Sequence, residues 1–224
     1  MWYGVKMKNL DRALELMDYV VAYKKQGTPI RLIEDHKGVP LMAYEADGST
    51  PRSFSMHLIG KYGRSFEKVG STHYTQIDKD KLMLDLIYIE KGYRGDKLGD
   101  ALYDYSELML QPVGAKSTIG VFYPCDMNMR CEPQRVLKNR AKGLYTKKGF
   151  EIVTMGDYLS DKDKYPYADE NDFGGCSGLD DSTLIIYKPM SKVNYDKFGL
   201  HLTRDGILLP KKLIHKYRDC FDMG

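Results

Sequence analysis

Residues 84–102 read Leu84-Asp85-Leu86-Ile87-Tyr88-Ile89-Glu90-Lys91-Gly92-Tyr93-Arg94-Gly95-Asp96-Lys97-Leu98-Gly99-Asp100-Ala101-Leu102. Together with Lys81, Leu82 and Met83 they open on KLMLDLIYI, a nearly continuous apolar run. Such a run predicts a central strand buried on both faces. A turn carrying Gly92 and Gly95 follows. From Leu98 the residues Leu98, Ala101, Leu102, Tyr105, Leu108 and Met109 then recur at helical spacing. A strand thus feeds a glycine-bearing turn that opens directly into a helix. The first helical turn has unpaired N–H groups and about half a positive charge from the helix dipole. A loop wrapped before it aims further amides at one point, which suits a phosphate or pyrophosphate. The plain alternative is that Gly95 and Gly99 only make the turn tight. Neither a GK[ST] ending nor a GxGxxG pattern is present, so this is neither a Walker loop nor a dinucleotide fingerprint.

Outward from this stretch, elements alternate. Asn9 is placed to cap a first helix whose stripe is Leu10, Leu14, Met17, Val20 and Val21, with Gly27 ending it. Residues 30–34 and 41–45 flank Lys37-Gly38 and predict a hairpin. Residues 56–59 and 72–77 carry weaker strand signals. After the central helix come a strand at 118–123 and a helix at 133–148. Gly149 is that helix's left-handed C-terminal residue, and strands at 150–154 and 183–188 follow. The order predicts a mixed α/β fold, a central sheet flanked by helices. Residues 157–181 hold eight acids against two lysines and read as a polar insertion rather than core. Residues 191–224 read as a C-terminal extension, a hairpin around Arg204-Asp205-Gly206 and a short helix, appended to a domain over 1–190.

Composition narrows the classes. The chain has 224 residues, 42% hydrophobic and 29% charged, with a net charge of +3. That is ordinary for a single globular domain with an appendage and makes no strong electrostatic case for nucleic acid or an anionic membrane. No stretch approaches the roughly 18 apolar residues of a membrane span. The N-terminal residues lack an apolar signal core, and the four cysteines, with no CxxC, fit a reducing cytoplasm. Five scattered histidines predict no metal site. The tail's seven Lys/Arg against four Asp come without an aromatic RNA motif, which disfavours a nucleic-acid binder.

Three segments now point the same way. Residues 93–102 resemble the coenzyme A pyrophosphate loop of the GNAT superfamily of N-acetyltransferases, Arg/Gln-x-x-Gly-x-Gly/Ala at the end of that family's fourth strand. Ala141-Lys142-Gly143-Leu144-Tyr145-Thr146-Lys147-Lys148-Gly149-Phe150 is similar to its A-x-x-L-Y-x-x-x-G-F segment. Leu184-Ile185-Ile186-Tyr187-Lys188-Pro189 looks like its last strand. Lys97 stands where the family usually has glycine, and Asn139 lies two residues before Ala141 where the family often has Asn three before.

The resemblance implies a GNAT-like acyl-CoA N-acyltransferase fold. It also implies direct transfer of an acetyl group from acetyl-CoA to a primary amine, with no metal. Arg94, Gly95, Asp96, Lys97, Leu98, Gly99, Asp100 and Asn139 would then bind the cofactor. The backbone of Ile87, Tyr88 and Ile89 would pair with the pantetheine arm as an added strand. Tyr145 would protonate the departing thiolate, as a phenol of pKa about 10 can; its bland reading is a packed aromatic. Asp85, on a face with Met83, Ile87 and Ile89 by alternation, would be the base, with a pKa raised by those apolar neighbours. Its bland reading is a structural carboxylate. Glu90, at the strand end, is a weaker base candidate. Cys125 and Cys131 read as ordinary thiols. The acidic insertion could form a rim for a cationic amine, and a homodimer stays open. The rival function is a degenerate module of this fold that binds coenzyme A or a protein partner without catalysis.

Overall fold

The computed structural model describes residues 2–48, 52–94, 97–122, 140–174 and 178–224. They form a mixed α/β structure with helices on the faces of mostly antiparallel sheet, in two compact units. The first unit comprises 1–73, 86–112 and 192–224; the second comprises 74–85 and 113–191.

In the first unit, α1 (Trp2–Val21) precedes β1 (Ile30–Glu34), β2 (Pro40–Glu45) and β3 (Ser53–Tyr62). β4 (Ser65–Gln76) starts in this unit, and β5 (Lys81–Ile89) ends in it. α2 (Leu98–Met109), β9 (Leu200–Leu202), β10 (Ile207–Pro210) and the single-turn α5 (Ile214–Tyr217) complete it. The strand order is β4-β3-β2-β1-β10-β9. The expected hairpin forms, with Arg31 opposite Ala43. Asp35 Oδ1 accepts from the N–H groups of Lys37 and Val39, and Gly38 supplies the positive φ of 72° that the turn needs. Residues 191–224 do fold as a hairpin and short helix. They also complete the sheet and its core, since β10 runs parallel to β1 with Ile30 opposite Ile207. Ile207, Leu209, Leu213, Tyr217 and Phe221 pack with Ala13, Leu16 and Val20 of α1 and with Ile30, Leu32 and Met42. α1 begins seven residues before the expected cap. Asn9 lies inside the helix, and its Nδ2 donates to Gly38 O at 2.9 Å. α2 is tied to the sheet by polar contacts. Tyr105 Oη donates to Pro29 O and accepts from Glu45 N, and Arg31 Nη1 donates to Ala101 O at 2.6 Å.

In the second unit the strand order is β7-β8-β6-β5. It is built from β6 (Ser117–Val121), α3 (Arg140–Lys147), β7 (Glu151–Thr154), α4 (Met155–Ser160), β8 (Leu184–Pro189) and the start of β5. β8 pairs antiparallel with both β6 and β7. β5 runs parallel to β6 over Lys81–Ser117, Leu82–Thr118 and Met83–Ile119 only. Gly149 closes α3 with φ 83°, and Phe150 N–H reaches back to Tyr145 O at 2.9 Å.

Two expectations are corrected here. β5 is buried at Lys81, Leu82 and Leu84, but Asp85, Leu86 and Tyr88 are exposed. The described β6 pairing ends at Met83, so the second half of the strand is not a two-sided core strand. The acidic segment is not merely solvated either. Tyr158, Tyr165 and Phe173 are buried with Ile119, Ile185 and Tyr187. Asp172 is buried as well, accepting from Lys81 Nζ, from Tyr158 Oη at 2.8 Å and from Asp169 N at 2.9 Å. Burial pulls the Lys81 ammonium's pKa down. Asp172 and Asp78 outweigh that and hold it above the ordinary lysine value.

Candidate active site

The strand that decides the fold also changes its pairing phase. Near its start, Ile77 N–H donates to Lys81 O, and Asp80 O accepts from Ser117 N–H. Near its end, Glu90 N–H donates to Val69 O at 2.9 Å. The β4–β5 register has therefore advanced by one residue between these points, as a β-bulge advances it. Odd-numbered residues turn their peptide groups toward β4 at Lys81; even-numbered residues do so at Glu90. Asp85 and Leu86, successive and both exposed, lie where the phase changes. Beyond the bulge the peptide groups of Ile87 and Ile89 face away from β4, and that of Tyr88 faces toward it. Of the three backbone candidates, Ile87 and Ile89 are oriented for an added ligand strand. The Tyr88 carbonyl instead faces β4, 3.0 Å from where a Cβ on Gly70 would lie.

Glycine sets the approach distances along this strand. A Cβ on Gly70 would lie 2.6 Å from Ile89 Cδ1 and 3.0 Å from Tyr88 O. A Cβ on Gly120 would lie 2.7 Å from Leu84 O, a backbone atom that cannot yield cheaply.

After Ile89 the chain makes one 3₁₀ turn, Lys91–Tyr93, and enters α2. Gly95, Asp96 and Asn139 lie outside the described residues. Lys97 caps α2 in the left-handed conformation, φ 59° and ψ 17°, a conformation the glycine of the related pattern would adopt without strain. Its side chain is exposed, whereas Leu98 is buried, so Leu98 can offer a ligand only its backbone. Asp100 adds a carboxylate to the first turn. There it favours the helix dipole but opposes a bound anion. Arg94 folds back: Nε donates to Ile89 O at 2.8 Å, and the guanidinium lies 5.6 Å from the Tyr88 ring centroid. This contact secures the turn and occupies one of the carbonyls that faces away from β4. Tyr88 Oη donates to Glu90 Oε2 at 3.0 Å, and that carboxylate pushes the phenol's pKa up.

Asp85 and Tyr145 belong to the second unit. Asp85 is exposed and accepts a hydrogen bond from Thr75 Oγ1 at 2.7 Å. The apolar burial expected around it is absent. Alternation assumes one phase along the strand, and the bulge breaks that assumption. Thr75 was missed from sequence: the Ile77–Lys81 register puts His73 across from Asp85, and Thr75 reaches the carboxylate diagonally. Tyr145, on α3, is half-buried between the edges of Phe122 at 5.7 Å and Phe150 at 5.5 Å between ring centroids. Burial pushes its phenol up to about 12, so it carries its proton throughout the neutral range. Both the packed and the proton-bearing readings of this side chain fit that position.

Among the described residues no group of three His, Cys, Asp or Glu is placed to hold a metal, and no helix is long and apolar enough to cross a membrane.

No family model matches the chain, and no curated protein matches it. Solved structures do. An acetyltransferase of the GNAT family from Staphylococcus aureus Mu50 is similar at 16% identity and a TM-score of 0.42, over 62% of this chain and 69% of that one. The PaiA N-acetyltransferase from Thermoplasma acidophilum, solved with coenzyme A, is 15% identical at a TM-score of 0.38. That match covers 62% of this chain and 61% of that one, less than two thirds of its length. A GNAT family acetyltransferase from Elizabethkingia anophelis with acetyl-CoA bound is 13% identical at 0.40, over 66% of this chain and 97% of that one. Two of these three solved structures are GNAT-family acetyltransferases and the third is an N-acetyltransferase.

Proposed function

We propose that the chain transfers an acetyl group from acetyl-CoA to a primary amine. The observation that carries this reading is the bulged β5. Its peptide groups at Ile87 and Ile89 turn away from β4, and its end leads through one turn into the N-terminus of α2. A pantetheine arm, an extended chain with two amides, fits the first feature by strand addition. A pyrophosphate fits the second. Lys97 brings an exposed ammonium to the same helix end.

In the proposed reaction the amine nitrogen attacks the thioester carbonyl carbon and forms the C–N bond. The carbonyl π electrons move to oxygen and return as the C–S bond breaks. Asp85 accepts the proton that the amine loses, directly or through water. Tyr145 gives its proton to the coenzyme A sulfur and regains one from solvent. A free alkylamine, with a pKa of about 10, arrives mostly protonated at pH 7, so a proton path beside the strand is required. The acceptor is read as a cationic amine, and the reaction needs no metal.

The test is release of free thiol from acetyl-CoA in the presence of spermidine or a lysine-containing peptide. Tyr145→Phe keeps the ring and removes the proton. It should lower kcat about 10²-fold while leaving acetyl-CoA affinity by calorimetry nearly unchanged. An equally fast Phe variant would return Tyr145 to packing. Binding of acetyl-CoA without turnover of either amine would favour the non-catalytic module.

A further inference from the structure

Resting on the acetyltransferase reading, we infer that Thr75 is a positioning residue for the reaction: its hydroxyl fixes the Asp85 carboxylate in the orientation that takes the amine proton. Asp85 sits where β5 changes phase, and its side chain projects to solvent rather than into packed core. An exposed aspartate on a strand samples several rotamers, and holding one of them costs entropy. Thr75 Oγ1 donates to Asp85 Oδ2 at 2.7 Å across the β4–β5 pair, a short charge-assisted hydrogen bond. Thr75 is β-branched and half-buried, so its χ1 is stiff and the donor itself is preset. This goes beyond the reading on which it rests, because β4 then takes part in the chemistry as well as in the sheet.

The geometry makes a specific demand: the hydroxyl matters and the methyl does not. Thr75→Val is nearly isosteric and removes the donor, whereas Thr75→Ser keeps it. With acetyl-CoA and spermidine, Thr75→Val should lower kcat about tenfold with KM for acetyl-CoA unchanged, and Thr75→Ser should recover most of the loss. In an Asp85→Asn background, Thr75→Val should cause little further loss, because the group it positions is gone. Thermal melts of all four variants should match the parent within a few degrees.

An active parent with an indifferent Thr75→Val variant overturns the inference alone. So does a loss of the same size in the Asp85→Asn background, or a joint fall in melting temperature and rate that serine does not rescue. A parent that releases no thiol with any amine overturns the acetyltransferase reading and takes the inference with it.

Discussion

Lys97 is the only non-glycine with positive φ among the described residues, at φ 59°. For an L-residue the left-handed region costs roughly 1–2 kcal/mol. Glycine would remove that cost but give back about 0.4–1 kcal/mol through its freer unfolded chain. Relief of strain outweighs the added chain entropy, so Lys97→Gly should stabilise the fold by about 0.5–1 kcal/mol, read as a higher denaturant midpoint at unchanged slope. It should also weaken acetyl-CoA binding, more at low salt than at high, because an ammonium leaves the proposed pyrophosphate end. A variant both less stable and equally tight in binding would show that the lysine side chain packs rather than strains. The onset of α2 next to this residue was legible from local chemistry: the apolar stripe from Leu98 and the glycines before it. The conformation of Lys97 was not, because the pattern that places glycine there gives no warning when lysine accepts the strain.

At the scale of elements, legibility follows the range of the forces involved. The Gly38 hairpin, the Gly149 helix end and the β6 and β8 strands are fixed by residues within one turn or one strand. They lie within a few residues of where periodicity puts them. The acidic segment misled because its charges outnumber its tyrosines while the tyrosines decide its packing. Tyr158 and Tyr165 are almost fully buried. The segment is anchored by Asp172, whose side chain is 1% exposed against 5% for its partner Lys81. Breaking a buried pair at one partner leaves an uncompensated charge, so Asp172→Asn should cost roughly 3 kcal/mol. Urea unfolding followed by tyrosine fluorescence reads this directly. A loss below about 1 kcal/mol would mean that Asp78, 3.1 Å from Lys81 Nζ, suffices as counter-ion. Asp85 failed as a buried base for a different reason. The alternation that assigned its face assumed a constant strand phase, and the register slip that ended it depends on β4, a non-local partner.

For the whole molecule, the notable arrangement is in the first unit, where α1 and the last strands share one core. The sequence reads 191–224 as an appendage because its hairpin and helix are self-contained in pattern. Nothing local reveals that Ile207 pairs with Ile30, 177 positions away. That pairing makes residues 191–224 a tethered ligand of the rest of the chain, docked through Leu209, Leu213, Tyr217 and Phe221 at a high effective concentration. Cutting the chain after residue 190, the boundary a sequence reading invites, should leave an aggregating fragment with β1 as a bare sheet edge. A synthetic peptide of residues 191–224 added in trans should restore solubility in a manner that depends on peptide concentration, as any bimolecular association does. A fragment 1–190 that stays monomeric with an unchanged melt would show that the tail only decorates the sheet. If the tail does bind in trans, this chain can be divided and reassembled at will, and the acetyl transfer we propose for it would become a signal for the meeting of its two pieces.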